Sequence, residues 1–269
     1  MLPAPGPCGD SDGVQGDVGS TTEPACIKSD AGPELTNKES AMSGLNGSLV
    51  GSRRFLLFSI ILIGSLWGLV ESTAGIGLRG GCARFHSGSI LTGMSLLFFA
   101  GAYTLTGRLL LVMALPVIAG LFRLYTGLLL GQAVISGAVA NPLFAFLVEA
   151  VAFCTVIYLI KSKHVRSVLG GSLAGMTSAV LAANLFLPVK WVTGIPACVV
   201  PGTDFPLAIW GLPVAMAVAA VSTPLGFRAG DWIRQWIAAP EHERGRVLAG
   251  ASVIVSAVCL LAVTVLHVR

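Results

Sequence analysis

The chain of 269 residues is 54% hydrophobic and 11% charged, with a mean hydropathy of +0.83 and a formal net charge of +4. A soluble domain carries about 25% charged residues, so this composition excludes an ordinary soluble globule and points to a polytopic membrane protein. The 33 glycines and 7% aromatic content suit tightly packed helices, and the apolar runs are too long and continuous for a barrel of short alternating strands. The expected fold class is therefore all-α: a helical membrane bundle of six to seven transmembrane helices.

Residues 1–52 are a different material, rich in Gly, Ser, Asp, Pro and Thr, with seven acids and two bases by residue 50. A segment of this kind buries too little apolar surface to offset its ordering entropy, so a disordered N-terminal tail is expected ahead of a bundle over 53–269. It lacks the basic region running straight into a short apolar core that marks a secretory signal. Met42 offers an alternative start, which would leave a short tail before Arg53 and Arg54.

Seven apolar stretches reach, or nearly reach, the roughly 20 residues that a membrane-crossing helix needs. They cover 55–75, 88–106, 109–130, 141–161, 166–188, 206–226 and 246–267. Only Gly107 and Arg108 separate the second from the third, which predicts a tight hairpin. Pro201 and Pro206 interrupt the approach to the sixth. If the last stretch is peripheral, the membrane unit is a six-span bundle. With the N-terminus in the cytoplasm, the inner side receives Arg53, Arg54, Arg108, Lys161, Lys163, Arg166, Arg228, Arg234, Arg244 and Arg246. The outer side receives Arg79, Arg84, Lys190 and Arg269. That bias predicts a multi-pass protein with a cytoplasmic N-terminus.

Glu71, Arg123 and Glu149 stand inside these stretches, in GSLWGLVESTAG, PVIAGLFRLYTG and NPLFAFLVEAVAF. A charge in hydrocarbon costs at least about 2.5–3.5 kcal/mol, so each is expected to face protein or a watery cavity. At about 1.5 Å per residue, Glu71 lies roughly 24 Å and Arg123 roughly 21 Å above the inner ends of their helices. By the same rise Glu149 lies roughly 12 Å below its outer end. All three then share the outer half of the bilayer, where Arg123 and Glu149, on consecutive helices, are expected to pair or to share a cavity.

Small residues surround these charges. Pro116, Ala119, Gly120, Thr126 and Gly127 share a face with Arg123, and Trp67 and Gly75 flank Glu71 one turn away on either side. Gly64/Gly68 and Gly171/Gly175 have the GxxxG spacing that lets helix backbones approach closely in a bilayer. Packing within the chain is the ordinary role of such a pair; docking of a partner membrane protein is the alternative for Gly64 and Gly68. The outer loop WVTGIPACVVPGTDF, from Trp191 to Phe205, is a candidate cover for a cavity or a plain connection. Arg79, Arg84 and His86 in GLRGGCARFH stand above the same region and suggest attraction of an anionic ligand. RAGDWIRQWIAAP places Trp232, Ile233, Trp236 and Ile237 on one face and Arg234 on the other, as expected of an interfacial helix in the headgroup layer.

Other chemistry finds no residues to stand on. Cys8, Cys26, Cys82, Cys154, Cys198 and Cys259 are scattered without a CxxC, so neither zinc nor an iron–sulfur cluster is expected. Cys82 and Cys198 both fall in outer loops and could pair in an oxidising periplasm. The four histidines lie at loops and ends, poorly placed to ligate a haem. HExxH, GxSxG and GxxxxGK[ST] are all missing, and nothing supplies a nucleophile beside the two intramembrane glutamates. No enzymatic activity, metal, cofactor or nucleic-acid partner is expected.

Together the pieces GSLWGLVE, HSGSIL, VIAGLFRLY and NPLFAFLVEAVAF, spread over about residues 55–160, resemble the substrate-binding (S) subunits of energy-coupling factor transporters. The resemblance implies a six-helix bundle in a bacterial inner membrane, with a small-molecule site in its outer half under outer loops. It implies no hydrolysis by the chain itself, and work alongside a separate transmembrane coupling subunit and ATPases. On this likeness Glu71, Arg123, Tyr125 and Glu149 become solute-binding candidates, with Arg123 holding an anionic group or being held by Glu149. Gly64 and Gly68 become the partner-docking seam. The chain departs from the family in its seventh span and its acidic tail. A non-transporting structural or assembly protein, whose buried charges only fasten helices, is the alternative of a different class.

Overall fold

The computed structural model describes residues 53–77, 86–160, 162–194, 199–200, 202–237 and 241–268. The expected disordered tail over 1–52, the Met42 start, Arg79, Arg84, and the proposed pairing of Cys82 with Cys198 lie outside these residues. The described chain is helical: α1 Arg53–Gly77, α2 Ser87–Thr106, α3 Leu109–Val112, α4 Leu115–Leu129, α5 Gly137–Ile160 and α6 Ser162–Val165. It continues through α7 Val168–Phe186, α8 Val189–Thr193, α9 Leu207–Trp210, α10 Leu212–Ile237 and α11 Glu241–Val268. Extended pairing among the described residues is limited to one bridge, Val199 to Pro206.

Six helical stretches are long and apolar enough to cross a membrane: 56–73, 87–106, 109–129, 137–160, 168–186 and 212–236. These match the first six expected spans. The seventh is realised as α11, whose apolar part, Gly250–Leu266, is shorter than the others. It lies along α1, where the Ser65 and Ser256 hydroxyls are 2.8 Å apart, and reaches α4, where Tyr125 Oη is 2.8 Å from Thr264 Oγ1.

Backbone chemistry explains where the elements begin and end. Gly107 adopts a left-handed conformation (φ 63°), and its N–H closes the end of α2 on the Tyr103 carbonyl, which makes the short turn into α3. The third span is broken at Met113–Ala114, because Pro116 has no N–H to give the Val112 carbonyl. The sixth long helix starts at Leu212, not at 206: Gly211 and Pro213 separate the short α9 from α10. The expected interfacial helix over RAGDWIRQWIAAP is not a separate element. Arg228 to Ile237 continue α10 without interruption, leaving Trp232 and Trp236 exposed, with their rings 5.4 Å apart.

Two prolines lie inside long helices, and each leaves the carbonyl four residues back without its usual N–H. Pro224 in α10 leaves the Ala220 carbonyl, which accepts from Ser172 Oγ of α7 at 2.6 Å. Pro142 in α5 leaves the Ala138 carbonyl, which accepts from Arg123 Nη2 of α4. The apolar stretch that begins at 141 puts Pro142 in a first turn, and the helix gains an extra turn ahead of it from Gly137. That turn makes the proline an interior residue.

The core is an aromatic stack between α1, α2 and α5. Trp67 meets Phe99 edge-on at 4.9 Å and Phe146 at 5.0 Å, and Phe99 continues to Phe153 at 5.7 Å. Small residues set the helix spacing around it. A Cβ on Gly93 of α2 would come within 2.5 Å of Val218 of α10, and one on Gly230 of α10 within 2.7 Å of Thr104. Gly171 and Gly175 of α7 likewise face α10, at Pro224 and Thr223.

The Gly64/Gly68 seam, expected to pack within the chain or to dock a partner, is turned inward toward α4 of the same chain. Both glycines are buried under α4, and a Cβ would lie 2.9 Å from Ile118 at Gly64 and 2.7 Å from Phe122 at Gly68. The close approach is spent on packing within the chain. Gly68→Leu should therefore cost about 1–3 kcal/mol through overpacking and lower the melting temperature of the purified protein, with partial rescue by Phe122→Ala. An unchanged melting temperature would show that α4 does not press on this seam.

Candidate functional site

The three intramembrane charges come together. Glu71 of α1, Arg123 of α4 and Glu149 of α5 are 7%, 5% and 4% exposed, and all line one cavity of about 500 Å³. On α5 the neighbours Leu147 and Val151 face outward, at 48% and 38% exposure, so the helix turns its charge inward and its leucine and valine to the surround. The expected sharing of one cavity by Arg123 and Glu149 is observed, with Glu71 on the same wall.

The cavity sits at one end of the bundle. Its wall takes Ser87 and Thr92 from the start of α2, Asn141 and Ala145 from the first half of α5, and Ala182 and Phe186 from the end of α7. Leu207 and Ala208 of the short α9 and Ala215 of α10 complete it. Antiparallel neighbours bring the end of α1, the start of α2 and the start of α5 to one level, as the depth count requires. Alanines and glycines line much of the wall, and their short side chains leave the volume open.

Each charged group has a local anchor. Trp67 Nε1, one helical turn before Glu71, donates to Glu71 Oε1 at 3.3 Å. Thr92 Oγ1 donates to Glu149 Oε1 at 2.6 Å. Glu149 Oε2 is buried and accepts no hydrogen bond among the described residues, and Asn141 Oδ1 is in the same condition. Arg123 is held by the Ala138 carbonyl, so the guanidinium of α4 is tied to the turn that Pro142 opens in α5. Beside it, Thr126 Oγ1 donates to Ser72 Oγ at 3.1 Å and links α4 to α1 next to Glu71. Removing two carboxylates and a guanidinium from water is costly unless each finds partners, and these contacts supply part of that compensation.

Tyr125 does not line this cavity. Two residues beyond Arg123 it faces the other side of α4, packs near Phe122 and bonds to Thr264 of α11, apart from the three charged residues. Two further positions, not among the site candidates, matter here: Thr92, which orients Glu149, and Pro142, which frees the carbonyl that orients Arg123. A proline within an apolar helical run was the available signal for the second. Nothing in the spacing of Thr92 distinguished it from other membrane threonines. The described part of the Trp191–Phe205 loop contributes no wall residue, although α9 directly after it does. No group of three metal-ligating side chains occurs among the described residues.

Comparison with known proteins finds no match: no family model, characterised protein or solved structure matches the chain.

Proposed function

We propose that this chain is a multi-pass membrane protein that captures a small solute in the cavity and serves as the binding component of a transport system. The observation that carries the reading is a cavity of about 500 Å³ between membrane-spanning helices, walled by three buried charged side chains and by small residues. Small-molecule sites are concave, mostly apolar pockets of this size with a few convergent polar groups. The likeness of GSLWGLVE, HSGSIL, VIAGLFRLY and NPLFAFLVEAVAF to energy-coupling factor S subunits supports the same reading. On this reading the chain catalyses no reaction. It resides in a bacterial inner membrane with its N-terminus in the cytoplasm, opens its cavity to the outside, and relies on a separate transmembrane partner with ATPases for energy. Since α4 covers Gly64 and Gly68, that partner would meet another surface.

A structural role is the second reading, favoured by the anchors themselves. Trp67, Thr92 and the Ala138 carbonyl tie each charge to a neighbouring group, as helix fasteners would.

The two readings separate on what the purified protein carries. Protein extracted from its native membrane, washed and denatured should release a small molecule detectable by mass spectrometry. Ala145→Trp, which fills the cavity from α5, should release none while remaining folded by circular dichroism. Equal release from both, or release of nothing but lipid, would favour the fastener reading.

Orientation has its own check. Reporter fusions in the α4–α5 connection at Ile135 should report the outside, and fusions at Lys163 the inside. The reverse pattern would place the cavity at the cytoplasmic face and remove solute capture from outside.

A further inference from the structure

Resting on the capture reading, the chemistry of the cavity also restricts what it takes. Its ionisable wall consists of two carboxyl groups, Glu71 and Glu149, against one guanidinium, Arg123, so acidic groups outnumber the cation. Arg123 already gives Nη2 to the Ala138 carbonyl, which leaves less of the cation to meet a ligand. The acceptors are in the opposite state. Glu149 is 4% exposed, its Oε2 accepts no hydrogen bond among the described residues, and Asn141 Oδ1, on the same wall, accepts none either. Buried acceptors of this kind call for donors.

Apolar wall surrounds these acceptors. Phe146 and Phe186 contribute aromatic faces, and Pro142 and Leu207 add aliphatic surface. A fully hydrated metal ion would waste that surface, whereas a molecule with an apolar body and a nitrogen head uses both parts. We infer that the cavity binds a small organic cation bearing several N–H donors, of the amidinium, guanidinium or primary ammonium class, with its head between Glu149 and Glu71 and its body against Phe146 and Phe186. This differs from the anionic ligand that the arginines of GLRGGCARFH suggest. A cationic head gives these acceptors the donors they lack and pairs with a carboxylate, while an anion would set further acceptors against them.

The test uses three compounds of one shape and different charge: benzamidinium, benzamide and benzoate, each small enough for a cavity of about 500 Å³. Melting temperatures of the full chain in detergent would be measured with each at equal concentration. Benzamidinium should raise the melting temperature by about 2–4 °C or more, with smaller shifts from benzamide and benzoate. Glu149→Gln, which keeps the shape and removes the charge, should weaken benzamidinium binding by about tenfold or more. Glu71→Gln provides a second, independent loss, and Ala145→Trp should abolish every shift. Equal shifts from all three compounds, or a larger one from benzoate, would overturn the inference and leave solute capture standing. No shift from any compound would also overturn it, and solute capture would then be judged by the molecule released from the native protein. A benzamidinium shift unchanged in both glutamine variants would place the cation elsewhere and overturn the inference as well.

Discussion

The structure turns on the cost of keeping two carboxylates and a guanidinium inside an apolar bundle. None of the three can be left facing hydrocarbon, and each draws a particular partner toward it. Arg123 is the clearest case. Its partner is a backbone carbonyl that exists as a free acceptor only because Pro142, four residues later, has no N–H to offer. One covalent peculiarity of α5 thereby fixes how α4 sits against it. The same device recurs at Pro224, where Ser172 takes the Ala220 carbonyl and joins α7 to α10. In a medium without water, a helix-interior proline becomes a point of attachment between helices, since the carbonyl it frees must find a donor.

Packing then decides where space remains. Gly93 and Gly230 bring α2 and α10 close, Gly64 and Gly68 do so for α1 and α4, and the Trp67–Phe99–Phe153 stack fills the centre. At the end defined by Ser87, Gly137 and Phe186, alanines and glycines line the wall without a large side chain to occupy the middle. A buried charge needs polar company, and a cavity beside it supplies room for water or a ligand. The placement of the charges and the placement of the void are therefore one arrangement. α11 adds a layer over α1 and α4 through hydroxyl pairs, Ser65 with Ser256 and Tyr125 with Thr264, and leaves the cavity wall to the other helices.

Much of this was legible in the residues. Length and apolarity located the six membrane-spanning helices, and the level of each charge along its span brought Glu71, Arg123 and Glu149 to one height, where a single cavity joins them. Face-level detail was harder to read. Tyr125 lies two positions from Arg123, which on a helix means nearly opposite sides, and it bonds to Thr264 away from the cavity wall. GxxxG spacing reports a close approach without naming the neighbour, and Gly64 and Gly68 meet α4 of the same chain. The amphipathic pattern after Arg228 suited an interfacial helix equally well, yet Pro224, Gly226 and Gly230 do not end α10, and the helix continues. Thr92 finds Glu149 across 57 positions of sequence, a contact that only the packing of α2 on α5 creates.

The central claim is that the charges face an accessible cavity and not a sealed helix interface. Thiol accessibility tests it most directly, in a chain whose six native cysteines are replaced by alanine. Ala145→Cys would stand on the cavity wall, while Leu147→Cys, two residues along α5, would stand on the outward face with its native side chain 48% exposed. A polar methanethiosulfonate reagent reacts with thiolates that water can reach. The account predicts fast modification at position 145 and almost none at 147. Equal protection at both positions would contradict it and leave the three charges as fasteners of a closed bundle.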